Sequence, residues 1–204
     1  IKESINPDQE KVKTVSVALQ DYSPNITSAD LSKITGVMSS YSSTFGTSDT
    51  GRVENLRIAT GYINGTLLMP GEEFSYNNTI GPTTPERGYK EANTYVGSKI
   101  VPGYGGGVCQ VSSALYRAVI QANIRSTERR NHSMTVSYAK PGLDATVAAG
   151  YIDYKFVNTY DFPIYIQGYL SGNQVVFNIW GNKEAMGGKT YELVNEILET
   201  YNYG

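Results

Sequence analysis

The sequence predicts an α+β fold in which an antiparallel sheet packs on a central helix carrying the single cysteine, Cys109. Three observations carry that expectation. From Val108 to about Ala122 there is no glycine or proline, and Val111, Leu115 and Ala118 recur at helical spacing, with Val108, Ala114 and Val119 widening the stripe. Ile164 to Tyr169 and Gln174 to Trp180 alternate on either side of Ser171-Gly172-Asn173, the pattern of a hairpin. Helical patterns gather before the end of the cysteine helix and strand patterns dominate after it, which favours α+β over a doubly wound sheet.

Taken in order, Ile1 to Lys11 is polar and reads as a tail or linker, and Lys13 to Leu19 alternates as a strand. Thr27 or Ser28 can cap a helix reaching Met38, with Leu31, Ile34 and Met38 at spacings of three and four; Ser39 to Gly51 is then a loop or extended arm. A second helix runs from Arg52 to about Ile63 and stops at Asn64-Gly65. Thr66 to Met69 is a short strand, Pro70-Gly71 a turn, and Phe74 and Tyr76 belong to another extended piece. Asn77 to Tyr89 reads as a long loop pinned by two prolines, and Glu91 to Ile100 fits helix or strand. After the central helix, Ile124 to Glu128 extends toward Arg129-Arg130, and Met134 to Tyr138 reads as a strand with His132 near its start. Ala145 to Val147 and Tyr151 to Val157 are strands, and Glu192 to Thr200 is a terminal helix. The expected organisation is an N-terminal extension or upstream-module remnant over 1–40, a main domain over 41–182 and a C-terminal extension over 183–204.

A formal charge of -2 gives no basic field, so nucleic acid is not an expected partner. One cysteine excludes an intramolecular disulfide, and one cysteine with one histidine leaves too few soft ligands for an ordinary zinc site, so neither metal nor cofactor is expected. No apolar run reaches the roughly 20 residues of a bilayer span and no signal peptide is visible. The polar opening without Met reads as a mature fragment. Seventeen tyrosines against five phenylalanines suit either a sugar- or peptide-covering surface or the outer layers of a β-rich domain.

The candidate chemistry centres on Pro102 to Tyr116, where Gly103, Gly105, Gly106 and Gly107 precede Cys109. Backbone with so few Cβ atoms can pass close to another surface, which makes Gly106 and Gly107 candidate ligand contacts. In the first turn of a helix, Cys109 meets unpaired N–H groups and the positive end of the dipole, which favour a thiolate; a buried structural thiol is the alternative. A nucleophilic thiol needs a base, and His132 is the one histidine available. Asp153 and Asp144 are the carboxylates that can orient it, with Asp153 ahead because its strand periodicity turns it away from Ile152, Tyr154 and Phe156. Gln110 and the Cys109 N–H are candidate oxyanion donors, and Ser112 and Ser113 candidate ligand donors. Arg129 and its neighbour Arg130 can pair with a substrate carboxylate, and Glu86 and Arg87 can project from their loop toward a ligand; each also reads as a solvated charge.

These residues lie in blocks that resemble the VanW family, named for an accessory protein of vancomycin-resistance gene clusters. The resemblance runs from about Tyr41 to Ile166. It rests on Arg52 to Ile63 with Asn64-Gly65, Pro70 to Asn77, Gly81-Pro82, Arg87-Gly88-Tyr89 and Gly105 to Ser113. Glu128-Arg129, His132-Ser133, Asp144 to Val147, Asp153 and Phe156 complete it. It implies a bacterial cell-envelope context, often behind a signal or membrane anchor and sometimes behind a peptidoglycan-binding module, with a secreted or anchored full-length protein. It supplies no reaction. The Cys-before-His order is also similar to papain-like and transglutaminase-like enzymes, an analogy at the level of fold.

Two expectations follow. One is a cysteine enzyme acting on amides of peptidoglycan peptides as amidase, endopeptidase or transpeptidase, with Cys109 attacking and His132 moving the proton. The other is a noncatalytic peptidoglycan-binding or assembly module in which Cys109 is structural. Cys-dependent turnover of muropeptides separates them.

Overall fold

The computed structural model describes residue 16 and residues 24–96 and 99–199. The expected strand at Lys13 to Leu19 lies outside the described residues save for Ser16, which is in neither helix nor strand. Among the described residues, four α-helices and nine strands follow in the order α1 (Ser28–Leu31), β1 (Gly36–Thr44), α2 (Thr50–Ile63), β2 (Thr66–Leu68), β3 (Glu73–Ser75), α3 (Tyr76–Ile80), β4 (Glu91–Val96), β5 (Lys99–Tyr104), α4 (Val108–Gln121), β6 (Ser126–Glu128), β7 (Lys155–Val157), β8 (Ile164–Ser171) and β9 (Gln174–Gly181). All strand pairs are antiparallel: a four-stranded sheet β1-β9-β8-β2, a three-stranded sheet β3-β7-β6, and a two-stranded ribbon β4-β5. The α+β expectation with a cysteine-bearing helix therefore holds at this level.

The apolar stripe of α4 explains its place. Val111, Ala114, Leu115, Ala118 and Val119 are fully buried, and the helix packs on β1 and β9 on one side and on α2 on the other. The hairpin β8-β9 supplies the facing layer with Ile164, Ile166, Val175, Phe177 and Ile179, all fully buried. Phe74 of β3 stacks on Phe156 of β7 with centroids 5.0 Å apart, so the small sheet joins the same core.

Several expected elements differ. The helix expected from Thr27 to Met38 closes after Leu31, although Thr27 does cap it with a reciprocal Asp30 contact. The expected loop at Ser39 to Gly51 begins as strand β1, paired with β9 along its length. Its inward side chains include Ser39 and Ser43, which hid the strand in sequence. They face α4, where small hydroxyls allow close approach: Ser39 Oγ donates to Ala118 O at 2.6 Å, satisfying both groups. Tyr76 opens α3 instead of extending β3, because Ser75 Oγ caps the Asn78 N–H. Glu91 to Ile100 resolves as ribbon, and Met134 to Tyr138 forms no strand. Ala145 to Val147 reduces to one bridge, Thr146 with Arg130. Residues 191–199 form no helix; Val194, Ile197 and Leu198 stay exposed, so no apolar stripe is docked to support one. Sheet β1-β9-β8-β2 starts at Gly36 and a 3-10 turn at Lys183–Met186 adjoins β1, so packed structure extends on both sides of 41–182.

The ribbon is anchored where the glycine cluster begins. Buried Asn55 of α2 donates to Lys90 O at 2.9 Å and Gly106 O at 3.0 Å and accepts from the Lys90 N–H at 2.7 Å. Gly106 lies so close to β4 that a Cβ there would fall 2.5 Å from Asn93 O and 2.7 Å from Ala92 O. No helix among the described residues is long and apolar enough to cross a membrane.

Candidate active site

The glycine cluster ends at Gly107, which caps α4 with φ +113° and leaves Cys109 in the first turn. The thiol is free, partly buried, 3.5 Å from Val147 O and 3.8 Å from Thr146 Oγ1. Tyr76 OH donates to Val108 O at 2.8 Å and steadies this turn. Burial pushes the Cys109 thiol up, but a hydrogen bond with His132, contacts to Val147 and Thr146, and the imidazole's charge outweigh it; the thiol sits below its ordinary value.

His132 is fixed from the opposite side of the cleft. Its backbone N–H donates to Asp144 Oδ2 at 2.7 Å, and its ring Nδ1 bonds the same oxygen. Nε2 lies 3.4 Å from Tyr138 OH. The two side chains are 5% and 4% exposed, so the pair acts in a shielded setting. Burial lowers His132, yet the bonds to Asp144 and Cys109 overcome it and raise its pKa to about 9. Burial raises Asp144, while His132 pulls it below the usual carboxylate value. Shifts in these directions favour a thiolate–imidazolium pair.

The loop bearing Asp144 is tied to the cysteine helix. Ser112 and Ser113 lie three and four residues after Cys109 and so share its face. Ser112 donates to Ala145 O at 2.6 Å; Ser113 donates to Cys109 O at 2.7 Å and accepts from the Ala145 N–H at 3.0 Å. Arg129 donates through Nε to Asp144 O at 2.8 Å and through its terminal nitrogen to Gly142 O, with its guanidinium 5.0 Å from the Tyr116 ring. The Thr146 N–H donates to Arg130 O at 2.8 Å, completing the frame.

Of the residues expected at the site, the fold thus brings Cys109, His132 and Asp144 together. Asp153, ranked ahead of Asp144 by strand periodicity, is instead buried at α3, accepting from Ser75 Oγ at 2.6 Å, Asn77 N–H at 2.9 Å and Tyr154 N–H at 2.8 Å. Alternation misled there because the opposite face of β7's approach is covered by α3. Gln110 points to β1: its amide nitrogen donates to Ser43 Oγ at 2.9 Å and Thr44 O at 3.0 Å, so both donors are committed away from Cys109. Ser112, Ser113 and Arg129 are framework contacts. Gly107 lines the cleft, while Gly106 is buried beneath β4. Glu86 is exposed; Arg87 donates to Ile80 O at 2.7 Å with its guanidinium 4.3 Å from the Tyr62 ring, and neither lines the cleft.

The cleft at Cys109 has a volume of about 520 Å³ and includes Arg52, Asn93, Tyr104, Arg130 and Tyr138. Arg52, Tyr138 and Thr146 carried no signal as site residues, since each lies far in sequence from Cys109 or within an expected strand. Among the described residues no group of three or more His, Cys, Asp or Glu side chains is gathered to hold a metal. Chemically, the arrangement suits a shielded thiolate, a histidine held by a carboxylate to move its proton, and backbone N–H groups at a helix start for a developing oxyanion.

Comparison with known proteins gives the context. The family description "VanW like protein" matches residues 51–180. The chain is similar to the uncharacterized protein YoaR of Bacillus subtilis (strain 168), 34% identical over 160 residues, covering 78% of this chain and 53% of YoaR. It is also similar to the vancomycin B-type resistance protein VanW of Enterococcus faecalis (strain ATCC 700802 / V583), 27% identical over 154 residues, covering 72% of this chain and 55% of that protein. The chain spans about half the length of these curated relatives. No solved structure matches it.

Proposed function

The chain belongs to the VanW family, and from that premise we propose that it is a cell-envelope cysteine enzyme that breaks or exchanges amides in peptidoglycan peptides. The observation that carries this reading is that Cys109 at the start of α4 and His132, whose ring Nδ1 is held by Asp144, line one cleft. The association of the family with bacterial cell envelopes supplies the substrate class.

In this reading the Cys109 thiolate attacks the amide carbonyl carbon and the Cys109 N–H, at the helix start, supports the oxyanion. The C–N bond breaks as His132 gives its proton to the leaving nitrogen, and a thioester remains. Water then gives amidase or endopeptidase activity, and a second amine gives transpeptidation. In either case His132 takes the attacking group's proton and the thiolate leaves. Asp144 keeps Nδ1 occupied, so Nε2 is the nitrogen that exchanges the proton. The Cys-before-His order shared with papain-like and transglutaminase-like enzymes is consistent with this chemistry as an analogy.

The test has two parts. Alkylation of Cys109 followed by intact mass against pH should show a thiolate titrating below the ordinary value of about 8.5, with the low-pH reactivity lost in His132→Ala. Purified muropeptides should then be converted by the native protein and left unchanged by Cys109→Ala. A thiol inert until unfolding, or muropeptide binding that Cys109→Ala retains with no turnover by the native protein, would establish the noncatalytic binding module instead.

A further inference from the structure

Several cationic side chains among the described residues are matched to acids or carbonyls: Arg57 with Glu54 at 2.6 Å, Lys155 with Glu128 at 3.0 Å, and Arg129 with the carbonyls of the Asp144 turn. Arg52 differs. Its guanidinium donates at 2.7 Å to the neutral Gln110 Oε1, and among the described residues it has no ion pair within 4.0 Å. Asp49, at the start of the same helix, accepts from the Arg52 backbone N–H at 2.8 Å and so caps α2.

Position makes the unmatched charge informative. A Cβ on Gly107 would lie 3.3 Å from both Cγ and a terminal nitrogen of Arg52, so the arginine lies across the start of the cysteine helix in room that glycine leaves. Arg52 lines the cleft of Cys109 and also an adjoining cavity of about 640 Å³, with Asn93 and Tyr138 shared between the two. Among the described residues no aspartate or glutamate lines the Cys109 cleft, and Asp49 lines only the adjoining cavity, although the whole chain carries a charge of -2. Arg130, the other arginine of that cleft, is near enough to Glu128 to act on its charge. Gln110, with its amide nitrogen fixed by β1, holds the Arg52 guanidinium in place.

We propose that Arg52 is a specificity-determining residue that recognises a carboxylate on the ligand beside the carbon attacked by Cys109. The substrate class is then a peptide acyl donor with a free carboxylate near the scissile amide, a statement that rests on the reading of Cys109 as a nucleophile. Guanidinium recognition of carboxylate is planar and two-pronged, which is how an arginine selects this group over a neutral amide.

Two measurements separate this proposal from that reading. Cys109, the one thiol, is alkylated with iodoacetate and with iodoacetamide, and the rate ratio is normalised to the urea-unfolded protein, so that nucleophilicity cancels. The normalised ratio should favour iodoacetate by about tenfold in low salt and fall as salt is added. Arg52→Met should bring it near one and Arg52→Lys should retain part of it. In parallel, Cys109→Ala protein, which needs no reactive thiol, is titrated with N-acetyl-alanyl-alanine, its C-terminal amide, and N-acetyl-glutamyl-alanine amide while the Arg52 Nε–H resonance is followed by NMR. A shift with the acid and none with the first amide supports recognition of a terminal carboxylate; a shift with the glutamyl peptide alone assigns it to a side-chain carboxylate. Equal shifts for the acid and amide forms of the alanyl peptide, or none with any peptide, overturn the proposal, as does a normalised ratio that Arg52→Met leaves unchanged. Inert Cys109 with a carboxylate-dependent Arg52 shift defeats the enzyme reading and keeps the recognition site.

Discussion

Cys109 and His132, with Asp144 behind the imidazole, face one cleft, yet the chain holds the two sides by different means. Cys109 stands on α4, whose backbone bonds and fully buried stripe place it as part of the core. His132 and Asp144 stand on the irregular stretch between β6 and β7, where the bridges of Arg130 to Thr146 and Ala148 to Ile152 are isolated. There the fixing bonds come largely from Ser112, Ser113 and Arg129 side chains. Each such bond is worth only about 1 kcal/mol net. The histidine side should therefore lose its alignment well before the cysteine side loses its fold.

The sharpest way to break this contrast is at the carboxylates. Asp144→Asn should slow Cys109 alkylation near pH 6 by about 100-fold, the scale of a lost proton-transfer partner, while the far-UV spectrum stays native. Asp153→Asn should do the reverse, costing about 1–3 kcal/mol of stability through its buried partners with an unchanged alkylation profile. The opposite pattern in denaturant melts and pH profiles would end the assignment of Asp144 to His132.

On the cysteine side, Gly106→Ala should be the costly change, about 1–3 kcal/mol in urea unfolding, because its Cβ meets the backbone carbonyls of Ala92 and Asn93. Gly142→Ala meets nothing within 4 Å and carries only the strain of φ +79°, about 1 kcal/mol. Equal costs would show that the ribbon yields freely at the start of α4. Next, Ser113→Ala leaves the buried Ala145 N–H without its partner and should cost about 1–2 kcal/mol, together with a slower low-pH alkylation.

The smallest effect is in the pH dependence of stability. His132, raised to about 9, contributes stability that is full below pH 6.5 and is lost as pH rises through 9. Cys109, lowered from 9.0, contributes in the opposite sense, with stability full above pH 9 and lost as pH falls through its native value. Between the native Cys109 value and pH 9 the two contributions change with pH in opposite directions. Cys109→Ala removes that opposing limb together with one of the two bonds that raise His132, so the alkaline decline it uncovers should be the smaller one set by Asp144, read as the melting temperature from pH 6 to 10. Asp144, lowered from 3.8, stabilises above that value and its contribution disappears as acid titrates it. Asp144→Asn should flatten that acid limb.

The elements legible in sequence were those whose own residues carry the signal. The stripe of α4 and the alternation of β8 and β9 report burial directly, and the glycines before Val108 mark the cysteine's turn. β1 was illegible because its inward Ser39 and Ser43 look like loop residues until α4 is present to accept a hydrogen bond from Ser39 and donate one to Ser43. Gln110, Ser112 and Ser113 read as ligand donors for the same reason: nothing local says that β1 and the Asp144 turn already engage them.

By itself the sequence determined the α+β class, the family resemblance, the position of Cys109 in a helix's first turn and His132 as its one possible imidazole partner, because periodicity and residue count are local properties of the chain. Only the tertiary structure decided between Asp144 and Asp153 and set Arg52 across the start of α4. Those outcomes depend on which distant loop the helix and its serines hold in place, and hydrogen bonds between residues far apart in sequence leave no period in it.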